Sequence, residues 1–230
     1  GYFARGWKSE KNYYKADLIY SFNKKEYLPR EFPKRTIPLS STYDIMAPSD
    51  KFMKTDKDNV FTSFKWSKVD KMMFYNRQEI KYEREEDWGF KTTLGFKAEE
   101  NEGAVGLNFI PLSELSRQYT HVDGAATMPR SNKFRTSEFH AEFRFAPGET
   151  FINTKQRRLK INLDAPVFTL GHTVGVKGFL GGDYRYNYTE ANIYKRFWMK
   201  SWGKIDCYLK GGIQWNQVPY PLLIMPETNL

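Results

Sequence analysis

The 230-residue chain has one cysteine, Cys207, three histidines, and no apolar run approaching the length of a membrane helix. Each shortage removes a class of protein. One thiol excludes an intramolecular disulfide framework, and its place on the apolar side of an alternating run makes it a small hydrophobe. His121, His140 and His172 lie far apart with no second ligand at metal spacing, so no metal or other cofactor is expected. The longest apolar stretch, "PLLIMP", is far short of the roughly 20 residues a helix needs to cross a bilayer. No nucleophile elbow occurs, and the glycine-rich "GFLGGDY" lacks the Lys-Ser/Thr ending of a phosphate loop. A non-catalytic protein is the expectation. Strand-built membrane proteins survive all these tests, because their strands alternate.

What the chain has in excess is aromatic residues, at 17%, a bias that favours strands and, for Tyr and Trp, membrane–water interfaces. The net charge of +9 comes from basic residues interleaved with Asp and Glu. Without an arginine-rich tract, zinc-ligand spacing or recognition helix, nucleic acid is not the expected partner; a solvated charged face is.

The main signal is alternation of period two. In "GKIDCYLKGGIQW", Ile205, Cys207, Leu209, Gly211, Ile213 and Trp215 oppose Lys204, Asp206, Tyr208, Lys210, Gly212 and Gln214. "FHAEFRF" sets Phe139, Ala141, Phe143 and Phe145 against His140, Glu142 and Arg144. "GFKTTLGFK" aligns Phe90, Thr92, Leu94 and Phe96; "KADLIYSF" aligns Ala16, Leu18, Tyr20 and Phe22. "NVFTSFKW" aligns Val60, Thr62, Phe64 and Trp66, and "MFYNRQEIKYERE" aligns Phe74, Asn76, Gln78, Ile80 and Tyr82. About ten such runs are present, and "IPLSELSRQY" is the one weak helix candidate. Many runs reach about nine to thirteen residues, and a strand at barrel tilt needs roughly nine to eleven to span a bilayer. Ordinary globular strands cluster near about five or six.

Short reversals at "EREEDWGF" and "MKSWGK" contrast with long polar connections at "AEENEGAVG", "SRQYTHVDGAATMPRSNK" and "APGETFINTKQRRLKINLDAPV". Short turns alternating with long loops fit an outer-membrane barrel, and a lectin-like sandwich can show the same pattern. Glu99, Glu100 and Glu102 read as a solvated loop tip, and His140, between Glu138 and Glu142, as a solvated histidine on a charged face. Glycines at 175, 178, 181 and 182 mark a constrained loop.

Three long phrases carry a family resemblance: "YSFNKKEYLPREFPKRTIPLSSTYDIMAPSDKFMKTDKDNVFTSFKW", "RFAPGETFINTKQRRLKINLDAPVFTLGHTVGVKGFLGGDY" and "IYKRFWMKSWGKIDCYLKGGIQWNQVPYPLLIMP". They resemble an uncharacterised family of Bacteroidota outer-membrane proteins that joins an N-terminal carboxypeptidase-regulatory-like domain to a C-terminal β-barrel. That family is distantly similar to the outer-membrane assembly and two-partner-secretion barrels, which carry a V-R-G-F/Y motif on an inward-folding loop. Here Val176, Lys177, Gly178 and Phe179 match it with Lys in place of Arg. The resemblance implies that Lys177 reaches inward to acidic lumen residues, without the bidentate contacts of a guanidinium.

The expected fold is therefore all-β: a long antiparallel meander, one domain over 1–230, forming an incompletely closed segment of an outer-membrane β-barrel in a Gram-negative bacterium. The chain is expected to be a fragment of a longer protein, acting in transport, secretion or membrane assembly. Its expected partners are outer-membrane lipid and other outer-membrane or periplasmic proteins. Glu142, Arg144, Glu190, Arg196, Lys204, Asp206 and Lys210 are expected to face a lumen. The rival is a soluble, secreted β-sandwich that binds carbohydrate through exposed aromatics.

Overall fold

The computed structural model describes residues 1–7, 10–22, 33–46, 72–104, 133–153, 158–218 and 222–223. The alternating run at Val60–Trp66, the helix candidate at 110–119 and His121 lie outside them.

Eleven strands follow in chain order: β1 (Tyr2–Arg5), β2 (Asn12–Ser21), β3 (Arg35–Met46), β4 (Met73–Glu85), β5 (Phe90–Gly103), β6 (Lys133–Phe145), β7 (Phe151–Asn153), β8 (Arg158–Lys160), β9 (Val167–Gly175), β10 (Tyr186–Trp198) and β11 (Lys204–Gln214). Nine of them form one sheet in the order β1-β2-β3-β4-β5-β6-β9-β10-β11, and β7 and β8 pair separately as a small hairpin. Every pairing is antiparallel. The sheet is a meander with β1 and β11 as free edges, and among the described residues it does not close. No α-helix occurs there; Phe179–Gly181 and Lys200–Trp202 form single 3-10 turns.

Local chemistry sets the tight reversals. Between β4 and β5, the Glu86 amide donates to the Phe90 carbonyl and Gly89 takes a φ of 90°. Between β10 and β11, the Met199 amide donates to the Gly203 carbonyl, and Gly203 has a φ of 98°, a conformation costly for any residue with a Cβ.

Two sequence expectations fail at the other connections. "AEENEGAVG" is not a loop from its start, because β5 continues to Gly103 and pairs with β4 and β6 throughout. Balanced charge makes this possible: Glu100 and Glu102 meet Lys133 and Arg135 across the pairing. "APGETFINTKQRRLKINLDAPV" likewise contains the β7–β8 hairpin.

Register puts chemically opposite rows one residue apart. Leu18, Leu39, Ile80, Phe96, Phe139 and Val174 are successive partners across six strands on one face. Asp17, Ser40, Glu79, Lys97, Glu138, Gly175 and Tyr186 form the neighbouring row on the other. A small apolar core of Met73, Phe134, Tyr186, Val218 and Leu222 sits on the polar face. It lies at the end of the sheet where β4 begins and β5 finishes. The chain beyond β11 reaches it, and the Gln214 side-chain amide donates to the Leu222 carbonyl at 3.2 Å.

Candidate functional site

Across the central strands β3 to β9, burial on the two faces is the reverse of a water-soluble sheet, while β11 is exposed on both. On the polar face Thr36, Thr42, Thr93, Glu99, Asn101, Thr136, Glu138 and Thr173 are all buried. On the apolar face Leu18 is 65% exposed, Leu39 37%, Ile80 44%, Phe139 46%, Leu170 50% and Leu209 68%. A sheet curled around its polar face produces this pattern. Hydrophobic residues normally lie inside, so a contiguous exposed apolar face marks a surface that meets something other than water.

The exposed face is a belt with limits. Along β6 it runs from Phe139 to Phe145, roughly 20 Å at strand rise. At the short-turn end Trp88 stacks on Phe90 at 5.0 Å and leans on Phe145, while Trp198 and Trp202 stand exposed beside the β10–β11 turn. At the opposite end Trp215 is exposed, its indole N–H donating to Thr189 at 3.0 Å. Beyond Ser137 and Ala98 the same face turns charged, with Glu100, Glu102, Lys133 and Arg135. Cys207 is exposed on the belt.

The polar face is held by ion pairs. Lys97 meets Glu138 at 2.5 Å, and Tyr186 donates its hydroxyl to the same carboxylate. Arg77 donates from Nε to Glu99 at 2.6 Å. Lys34 and Lys91 converge on Glu83 at 2.8 and 3.5 Å. Burial makes these contacts matter, because an isolated charge away from water is costly until paired. Glu99 is therefore not part of a solvated loop tip: its side chain is fully covered and faces Arg77.

All seven expected lumen charges lie on this polar face, and the structure brings several together. Arg196 meets Asp206 through Nε at 2.5 Å and Nη2 at 3.0 Å, with Lys204 at 3.7 Å from the same carboxylate. Lys210 lies 3.9 Å from Glu190, its diagonal neighbour. Arg144 instead turns past the strand end and makes two hydrogen bonds to Glu149, which also meets Lys160 of β8 at 2.9 Å. Glu142 lies 4.0 Å from His140, whose Nδ1 is 2.7 Å from the Thr173 hydroxyl. Among the described residues, no three His, Cys, Asp or Glu side chains are grouped to hold a metal ion. Lys97, Glu138, Arg77 and Glu99 are the polar-face residues that sequence reasoning passed over. Lys97 was readable from its own alternating run, whereas Glu99 needed the knowledge that β5 continues.

In this open sheet the loop at Val176, Lys177, Gly178 and Phe179 lies along β6, with Phe179 on the apolar face. The Val176 amide donates to the Ser137 carbonyl and the Asp183 amide to that of Arg135, so the loop runs along β6 beyond the end of β9. The Phe179 ring packs on Phe96 and Phe139, at 5.6 and 5.9 Å, on the apolar face, and Lys177 is exposed. Gly178, at φ 83°, makes the turn. At Gly175 the requirement is space, since a Cβ would fall 2.3 Å from the Tyr186 ring.

Fold and surface together define an all-β protein whose wide antiparallel meander covers much of its polar face from β3 to β9 and exposes its apolar one, while β11 is exposed on both faces. The chain belongs to a family of unknown function, DUF5686, matching its C-terminal domain over residues 6–219. No curated protein and no solved structure matches it.

Proposed function

We propose that the chain forms part of a β-barrel in the outer membrane of a Gram-negative bacterium, with a non-catalytic role in transport, secretion or membrane assembly. The inverted burial carries this reading. A large apolar side chain left in water forfeits about 1.5–3 kcal/mol relative to burial, and lipid recovers it along the whole belt. The belt's height approaches the apolar band of roughly 25 Å found on such barrels, and aromatic residues mark its limits as they do there. A carbohydrate-binding sandwich would cover this face with a second sheet, and among the described residues none does. No helix in the described residues is long and apolar enough to cross a membrane, so strands would do the crossing. The likeness to Bacteroidota outer-membrane proteins with a regulatory-like domain, and more distantly to assembly and two-partner-secretion barrels, supports the same setting.

The test is refolding of the full chain into phospholipid vesicles. The expected result is co-flotation with the vesicles and resistance to alkaline extraction. Leu209→Arg should cost about 2–4 kcal/mol if the site lies near the midplane. Lys210→Arg, on the other face, should stay within about 0.5 kcal/mol. A chain that is monomeric and soluble without detergent would overturn the proposal.

A further inference from the structure

At its short-turn edge the apolar belt ends in two arginines that face each other. Arg35 of β3 and Arg84 of β4 are direct partners in the antiparallel register, and both belong to the apolar face. Cβ atoms of such partners lie about 4.5–5.5 Å apart, and like charges in that position repel. Among the described residues the two arginines are compensated unequally. Arg84 has Glu86 at 2.5 Å, but Arg35 has the Phe22 ring, 5.4 Å away, where a carboxylate would serve. Both arginines are exposed, and among the described residues Glu86 is the one carboxylate that meets either of them. At the opposite edge of the same face three cations share two carboxylates, but each has a carboxylate contact: Lys11, Lys133 and Arg135 each meet Glu100 or Glu102.

A second feature lies above the pair. A shallow groove of about 410 Å³ opens on the apolar face along Ala16, Leu18, Leu39, Ile80 and Phe96, with polar residues such as Ser41 and Gln78 also in its lining. Leu39 and Ile80 are register partners four residues from the arginines along both strands, roughly 13 Å away. A cationic pair at the rim of the apolar face, roughly 13 Å from an apolar groove on that face, has the polarity of a phospholipid, head group at the rim and acyl chain toward the middle.

We propose that Arg35 and Arg84 clamp the phosphate of a glycerophospholipid whose acyl chain lies in this groove; the inference rests on the membrane reading above. A phosphate between two facing guanidiniums accepts charge-assisted hydrogen bonds from both, so the ligand removes the repulsion that the register imposes. Phe22 beneath Arg35 orients its guanidinium plane. Tyr20, packed edge-on against Phe22 at 4.9 Å, continues the apolar surface toward the groove.

The experiment adds phosphatidylglycerol to the detergent-solubilised full chain and counts retained lipid by native mass spectrometry. Vesicle flotation is measured on the same preparations. The double variant R35Q/R84Q should retain the lipid about tenfold less well while still floating, with R35K/R84K intermediate. Arg135→Gln, at the opposite edge, should bind as the parent does, and diacylglycerol, which lacks the phosphate, should not be retained. Equal retention by R35Q/R84Q would overturn the clamp while leaving the membrane reading intact. Full displacement of the lipid by millimolar inorganic phosphate would make the pair a free-anion site and overturn the lipid assignment. A parent chain that fails to float would remove both readings together.

Discussion

Lys97 and Glu138 show what single residues do on the polar face. They are direct cross-strand partners, 2.5 Å apart, with 18% and 5% of their side chains exposed, and Tyr186 caps the carboxylate. Removing the carboxylate leaves a covered ammonium without its nearest counter-charge, the situation in which a buried pair is most sensitive. Glu138→Gln should therefore destabilise the refolded protein by on the order of 3 kcal/mol, read from urea unfolding in vesicles. Glu142→Gln is the matched control. It sits four residues further along the strand on the same face, more exposed and 4.0 Å from a histidine, and its effect should stay within about 0.5 kcal/mol.

At the scale of elements, the β7–β8 hairpin depends on one side chain outside the sheet. Glu149, only 3% exposed, ties Arg144 at the end of β6 to Lys160 of β8. Burial pushes its carboxyl up, but hydrogen bonds from Arg144 and Lys160 outweigh that and hold it below the ordinary glutamate value. A folded-state value lower than the unfolded one gives stability that is fully present above the unfolded value. It is lost as pH falls through the folded one. Hydrogen exchange of the β7–β8 amides should thus be slow at neutral pH and accelerate below about pH 4. Glu149→Gln should reproduce the loosening at pH 7, at about 1.5–3 kcal/mol. The neighbouring β5 illustrates a different limit. Glu99, Glu100 and Glu102 look like a loop tip in sequence, yet their cations come from β4 and β6, which lie elsewhere in the chain.

For the molecule as a whole, strand direction decides how the sheet can be completed. Nine antiparallel strands leave β1 and β11 running the same way, so pairing them directly would be parallel. On the proposed barrel reading, an antiparallel barrel with an even strand count would need an odd number of strands beyond the nine described between these edges. Exposed edges in lipid leave backbone groups unpaired, at several kcal/mol each. The prediction uses a Cys207→Ser background. Cysteine at Phe3, combined in turn with cysteine at Ile205, Leu209 or Ile213, should give no intramolecular disulfide in vesicles. A disulfide in any of these would show direct closure.

The alternation of apolar and polar residues by itself determined the all-β class, most strands, and which residues share a face, because a period of two is a local property of extended backbone. It also marked the reversals at Trp88-Gly89 and Trp202-Gly203, where glycine supplies a conformation its neighbours disfavour. Only the tertiary structure decided that β5 runs on to Gly103, that Glu99 is buried against Arg77, and that Phe179 turns to the apolar face. Each depends on a partner strand distant in sequence. Which face the curled sheet covers was decided there as well, since alternation separates two faces without saying which of them meets solvent.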